Sequence, residues 1–180
     1  MTNRRIDRFR RATLAASSLS LLACGAFACS SPQREYTVPR SLCDITVPPR
    51  LTEKLLVAGK ELHVRLEDKT LNKSFQHCWV SVDGEEVLSV SREWHSGRDI
   101  PQVVALQSEL DVGSLRGEDD FQYGERGAVK RVVCRHPRQE DWSLFVITQV
   151  RGSQEPTVSE IKRFTATYAK AVEKSKQCDR

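Results

Sequence analysis

The chain has 180 residues, of which 39% are hydrophobic and 29% are charged, a composition that fits one globular domain and excludes a protein with several membrane spans. Its net charge of +4 comes from the first 23 residues, which contain five arginines and one aspartate, so the remainder is neutral. A neutral body without a basic stripe argues against nucleic-acid binding.

The N-terminus is typical of a secretory signal. An arginine-rich stretch ends at Arg11, and the uncharged segment 12–23 follows it. A membrane-spanning helix needs about 20 strongly apolar residues, whereas the uncharged region up to Pro32 is rich in Ser, Gly and Ala. The pattern therefore predicts a signal peptide over 1–23 and favours it over an uncleaved anchor.

The end of this signal indicates where it is cut. Leu21-Leu22-Ala23-Cys24 resembles a bacterial lipobox, so we predict that Cys24 is lipidated and becomes the mature N-terminus. Cys29, after Ala26-Phe27-Ala28, is the alternative, and that triplet also fits ordinary signal peptidase, which would release an unlipidated, secreted protein. Two or three acyl chains anchor a domain stably, since each buried CH₂ contributes about 0.8 kcal/mol. The predicted location is the extracytoplasmic side of the cell membrane.

Four further cysteines follow, spaced by 35, 56 and 44 residues: Cys43, Cys78, Cys134 and Cys178. An even number in an exported chain predicts two disulfides, although four cysteines allow three connectivities. No pair has the Cys-x-x-Cys spacing of zinc knuckles or thioredoxin-like redox motifs.

The first half of the mature chain predicts a tether, a short helix and three strands. Residues 24–40 lack apolar periodicity and are interpreted as a flexible tether, so the domain is expected to cover 41–180. A short helix over 51–57 precedes a half-buried strand over 61–67. Strands 75–82 and 86–94 form a hairpin through Asp83-Gly84, a dipeptide that tolerates positive φ.

The second half predicts two more strands and a long helix. Asp99 caps a short helix that reaches Leu110, and 113–127 is expected to be an exposed loop. Strands 128–135 and 141–150 form a second hairpin whose later strand, apolar on both faces, is central. A capping box at Thr157–Glu160 then begins a helix with an apolar stripe: Ile161, Phe164, Tyr168, Val172 and Ser175.

Together these elements predict an α+β domain, an antiparallel sheet of about five strands with helices packed on one face and two disulfides. Cys178 falls at the edge of the helical stripe, so we favour its pairing with Cys134 on a strand beneath. Cys43 would then pair with Cys78 on the first hairpin.

The sequence predicts no catalytic residue, cofactor or metal site. It contains no nucleophile elbow, phosphate loop or His-Glu-x-x-His motif. His63 is expected at the surface. A pairing of His77 with His95 across the hairpin is interpreted as accidental and not as a metal or catalytic site. The acidic pairs Glu85-Glu86 and Asp119-Asp120 are interpreted as solvated loop charges, and the tryptophans Trp79, Trp94 and Trp142 as packing residues.

The order of features along the chain resembles that of a known group. These features are a lipobox, a tether, a cysteine before a short helix, the Cys78-Trp79-Val80 step and a final helix that ends in cysteine. It is similar to small actinobacterial lipoproteins that carry a domain of unknown function, and more distantly to the extracellular sensor domains of some actinobacterial receptor kinases. The resemblance covers about 41–180. It implies an α+β sheet with helices on one side and two disulfides, and it transfers no activity.

These observations predict a membrane-anchored lipoprotein whose extracytoplasmic domain binds an unidentified protein or small molecule. Two other functions stay open. A secreted hydrolase with dispersed catalytic groups would require a cleft in which titratable side chains converge. A structural role in the envelope would instead require a flat apolar patch.

Overall fold

The computed structural model describes residues 33–68, 74–110, 114–136, 138–153 and 155–178. The predicted signal peptide and both lipidation candidates, Cys24 and Cys29, lie outside the described residues. In chain order the elements are β1 Ser41–Leu42, β2 Ile45–Thr46, α1 Pro49–Glu53, β3 Leu62–Asp68, β4 Phe75–Val82, β5 Glu85–Ser96, α2 Ile100–Val104, β6 Arg116–Glu118, β7 Phe121–Tyr123, β8 Gly127–Val132, β9 Trp142–Val150 and α3 Val158–Glu173.

A seven-stranded antiparallel sheet with the order β3-β4-β5-β9-β8-β7-β6 forms the centre of the fold, and β1 and β2 form a separate two-stranded sheet. The α+β class and the antiparallel sheet are as predicted, but the sheet is larger than the expected five strands. The two additional strands, β6 and β7, lie within 113–127, which was predicted to be a loop. Each has only three residues, too few to show the alternation by which strands are recognised in sequence.

The first hairpin has the predicted strands and turn. Asp83 and Gly84 have φ of 52° and 87°, the positive values that this two-residue connection requires. The Asp83 carboxylate also accepts hydrogen bonds from the backbone N–H groups of Lys60 and Glu61, at 3.0 and 2.9 Å. The turn therefore anchors the segment that leads into β3.

The two faces of the sheet are covered by different helices. Leu144 and Val146 of β9 lie in the core beneath α3, whereas Phe145 and Ile147 point to the opposite face and pack with α2. The prediction that helices pack on one face is therefore wrong for α2. The physical reason is the one that makes β9 central: a strand that is apolar on both faces needs cover on both.

The strand predicted as half-buried is the exposed edge of the sheet. Leu62, Val64 and Leu66 of β3 share the α3 face with their β4 partners, yet Val64 and Leu66 are 37% and 39% exposed. The preceding helix, predicted over 51–57, covers only Pro49–Glu53. The helices on this face therefore do not cover Val64 and Leu66 of β3.

Both disulfides are present in the favoured connectivity. Cys43 is bonded to Cys78 and Cys134 to Cys178, with Cα–Cα distances of 5.7 and 5.3 Å. The first joins the β1–β2 turn to β4, and the second joins the segment after β8 to the end of α3. Each therefore ties a peripheral element to the main sheet.

Part of the predicted tether packs on the domain. Arg34 donates to the Glu53 carboxylate at 2.7 Å and to the Leu56 carbonyl at 2.9 Å. The Tyr36 hydroxyl donates to the Val57 carbonyl, and Val38 contacts the core. The folded region therefore begins before Ser41. No helix in the described part of the chain is long and apolar enough to cross a membrane.

Gly127 of β8 lies so close to β9 that there is no room for a side chain at this position. A Cβ at this position would lie 2.1 Å from the Thr148 carbonyl oxygen and 2.6 Å from Leu110. We expect Gly127→Ala to lower the free energy of unfolding by about 3 kcal/mol because the backbone must shift. Gly97→Ala is the control: it meets no heavy atom within 4 Å and only adopts a φ of 58°, which costs about 1 kcal/mol. Equal losses in urea unfolding would contradict the close approach.

Removing a disulfide tests how far loop closure stabilises the fold. The Cys134–Cys178 bond closes 44 residues, so the chain-entropy model gives a loss of about 4 kcal/mol for the double serine variant. The Cys43–Cys78 bond closes 35 residues, and its double variant should lose nearly as much. Denaturant unfolding measures both. A loss below about 1 kcal/mol in either variant would show that its loop is already held by packing.

Candidate functional site

A cavity of about 560 Å³ lies beside the C-terminal end of α3. Its walls are the β1–β2 turn with Asp44 and Ile45, the sheet residues Gln76 and Arg92, and the chain at 174–177. The volume is within the range of small-molecule sites, about 300–1,000 Å³. These residues come from four separate parts of the sequence, which the sheet and α3 bring together.

Both disulfides adjoin this cavity. Cys43 directly precedes Asp44, and Cys78 lies two residues after Gln76 on β4. Cys178 directly follows Gln177. Three walls of the cavity are thus covalently fixed, which favours a preformed site over one that closes around its ligand.

Arg92 is the most unusual residue of the cavity. It occupies a core-facing position of β5, in register with Val146 of β9, and is only 3% exposed. Among the described residues no partner accepts a hydrogen bond from its Nε, and no described carboxylate forms a salt bridge with it. Burying an unpaired charge costs several kcal/mol, and an anion in contact with this guanidinium would reduce that cost.

A pair of glutamines continues the cavity wall next to Arg92. Gln76 donates from Nε2 to the Asp68 carboxylate at 3.2 Å, so its Oε1 faces inward. Gln177 Nε2 donates to that Oε1. The remaining oxygen, Gln177 Oε1, is buried and has no hydrogen-bond donor among the described residues.

Tyr168 links α3 to β1 beside the site. It is fully buried on α3, and its hydroxyl donates to the Leu42 carbonyl at 3.3 Å, immediately before Cys43. Burial raises the pKa of Tyr168 to about 12, while the nearby positive charge of Arg92 partly opposes that rise and Asp44 adds to it. The phenol is therefore neutral at ordinary pH and fixes β1 against the helix.

The predicted histidine positions do not converge on a site. His63 is exposed, with its side chain 62% accessible near Glu61, as expected for a surface residue. His77 stacks on Trp79 with ring centroids 3.7 Å apart, and it pairs across the hairpin with Ser91 rather than with His95. No group of three metal-ligating side chains occurs in the described ranges.

The predicted tryptophan and acidic residues have structural contacts. Trp94 packs against the core, and His136 lies between it and Trp142, with ring centroids 4.9 and 5.4 Å away. Burial lowers the pKa of His136, with Arg138 adding to the effect and Asp141 opposing it. Of the acidic pairs, Glu86 binds Arg151 and Asp120 binds Lys130.

A serine, a glutamate and a histidine do meet on the opposite face of the sheet. Ser91 donates to Glu93 at 2.6 Å, and His95 lies 2.9 Å from the other Glu93 oxygen. In a catalytic triad the histidine touches the serine, whereas here the carboxylate lies between them.

No sequence motif predicted the residues that define the cavity: Arg92, Gln76, Gln177 and Asp44. A signal for Arg92 was available, because Leu88 and Val90 place it on the core face of its strand, where an arginine is unusual. No comparable pattern marks the glutamines. No family model, curated protein or solved structure matches this chain.

Tyr168→Phe tests the described burial of the phenol. The unfolded phenol ionises near pH 10 and the folded one near pH 12, so the wild type should lose about 2–3 kcal/mol of stability as the pH rises through that window. The variant lacks this loss, although it is about 1 kcal/mol less stable at pH 8 without the Leu42 hydrogen bond. Urea unfolding from pH 8 to 11.5 measures the difference. Parallel curves would mean that the phenol is accessible to water.

Proposed function

We propose that this chain is an exported, membrane-anchored lipoprotein whose extracytoplasmic domain binds a ligand in the Arg92 cavity. The observation that carries the proposal is a buried, unpaired guanidinium in a cavity whose walls are tied by two disulfides. In this arrangement a positive charge without a described partner lies in a site whose walls are fixed. Natural proteins retain costly groups of this kind where they serve a function.

Export and anchoring are supported by separate features. Disulfides persist in oxidising compartments, so two of them in one domain are compatible with an extracytoplasmic location. The N-terminal pattern supplies the signal peptide over 1–23 and the lipidated Cys24, with Cys29 as the alternative acceptor. If the chain is instead cut after Ala28 by ordinary signal peptidase, the protein is secreted without a lipid.

Binding fits the cavity better than hydrolysis does. Hydrolysis of a glycosidic bond, for example, uses two carboxyl groups that face one bond. Among the described residues that line the cavity, Asp44 alone carries a carboxylate, and none is a histidine or a cysteine. The proposed relatives, small actinobacterial lipoproteins with a domain of unknown function, rest on the cysteine order and the Cys78-Trp79 step.

Intact-mass analysis of the native protein, with and without reduction, tests export and anchoring together. The expected product begins at Cys24, carries acyl chains and gains the mass of four hydrogen atoms on reduction, because each of the two disulfides takes up two electrons and two protons to give two thiols. Cys24→Ala should abolish acylation, whereas Cys29→Ala should leave the product acylated.

If Cys29→Ala abolishes acylation and Cys24→Ala does not, the lipid is attached to Cys29 instead. An unacylated product starting at Cys29 would replace the anchored protein with a secreted one. Full-length protein that retains Met1 and has only free thiols would overturn the proposal altogether.

A further inference from the structure

Resting on the proposed binding function, we infer that the cavity binds a small hydroxy-carboxylate, the chemistry of a sugar acid or a small hydroxy acid. The carboxylate contacts the Arg92 guanidinium, and a hydroxyl of the same molecule donates to Gln177 Oε1. Arg92 and Gln177 line one cavity, and each has a buried polar atom without a described partner: Arg92 Nε requires an acceptor and Gln177 Oε1 requires a donor.

The orientation of the glutamines makes the second requirement specific. Because Gln76 must present its amide nitrogen to the Asp68 carboxylate, its oxygen has to accept from Gln177 Nε2. Turning either amide would break one of these bonds or bring two like groups together. Gln177 Oε1 is therefore fixed as an acceptor, and a simple carboxylate would leave it unsatisfied.

The charge around the cavity favours an anion over an ammonium group. Its described lining includes the basic residues Arg92, Lys174 and Lys176 and the acidic residue Asp44, so this part of the lining has an excess of positive charge. An ammonium donor would be repelled by this excess, whereas a hydroxyl is neutral.

The end of α3 opposes a phosphate dianion more strongly than it opposes a carboxylate, which carries a single negative charge. The cavity lies at the C-terminus of this helix, where the free carbonyl groups carry partial negative charge. Phosphate sites typically use the backbone N–H groups of a helix N-terminus instead. A volume of about 560 Å³ also exceeds what a bare anion fills and leaves room for a sugar-sized molecule.

The test titrates the full exported protein, labelled with ¹⁵N, with five probes and follows the Arg92 Nε–H resonance by NMR. Glucuronate and lactate carry a carboxylate and a hydroxyl. Cyclohexanecarboxylate lacks the hydroxyl, glucose lacks the carboxylate, and inorganic phosphate is the dianion. We expect glucuronate or lactate to shift this resonance and to bind at least tenfold more tightly than cyclohexanecarboxylate, glucose or phosphate. The tighter of the two identifies the source as a sugar acid or a small hydroxy acid.

Three variants assign the contacts. Arg92→Met should weaken binding of the preferred probe about tenfold to a hundredfold. It should also keep or raise the melting temperature, because it removes an unpaired buried charge. Gln177→Leu should reduce the affinity for the preferred probe to that of a matching carboxylate without a hydroxyl. This is cyclohexanecarboxylate for glucuronate and, as an additional comparison compound beside the five probes, propionate for lactate. Arg131→Met is the matched control: its Nε is also buried without a described partner, but its guanidinium lies 5.6 Å from the Phe145 ring, outside the cavity. It should bind like the wild type.

Several results would overturn the inference. They are tighter binding of phosphate than of either hydroxy-carboxylate, an equal loss in Arg92→Met and Arg131→Met, or an Arg92 resonance that no probe shifts. Intact mass on the same preparation separates this failure from that of the proposed function. An acylated, oxidised protein that ignores all five probes would remove only the ligand assignment, whereas an unprocessed and reduced one would remove the proposed function itself.

Discussion

The guanidinium of Arg92 is the feature on which the functional account depends. A buried cation without a partner opposes folding, and its cost is tolerated only if the rest of the domain is stable enough. Here the opposing contributions are the core under α3 and two covalent links that close loops of 35 and 44 residues. The disulfides therefore act at the same place where stability is lost, next to the cavity.

The architecture explains how this cavity arises. The apolar stripe of α3 covers the middle strands of the sheet, but beyond Val172 the helix ends and the stripe ceases. The sheet continues under this gap with Gln76 and Arg92 instead of apolar residues. The β1–β2 turn closes the open side, held by the Cys43–Cys78 bond and by the hydrogen bond from Tyr168 to Leu42. A site thus forms at the edge of a core rather than in a separate cleft.

Sequence patterns predicted the elements that have a clear period or a distinct local chemistry. The Asp83-Gly84 hairpin, the central strand β9, the Thr157 capping box and the apolar stripe of α3 are all found as expected. The hairpin of β6 and β7 is missing from the prediction because three-residue strands carry too little pattern. The exposure of Val64 and Leu66 depends on how far a helix that is distant in sequence extends over the sheet. Alternation along a strand carries no information about that extent.

The candidate site could not be predicted from the sequence for a different reason. Catalytic motifs have fixed spacings, whereas Gln76, Arg92 and Gln177 come together only through sheet pairing and the turn residues that follow α3. Arginine and glutamine are also ordinary surface residues, and only their burial makes them unusual. The cysteines did indicate the region, since each favoured pair has a member one or two residues from the cavity lining.

A crystal structure of the exported protein grown with glucuronate, in a buffer free of other carboxylates and of phosphate, tests the central claim most directly. The account predicts a planar oxyanion within hydrogen-bond distance of Arg92 and a hydroxyl oxygen against Gln177 Oε1. An Arg92 side chain paired with a carboxylate of the protein itself, in a cavity that excludes the sugar acid, would contradict it.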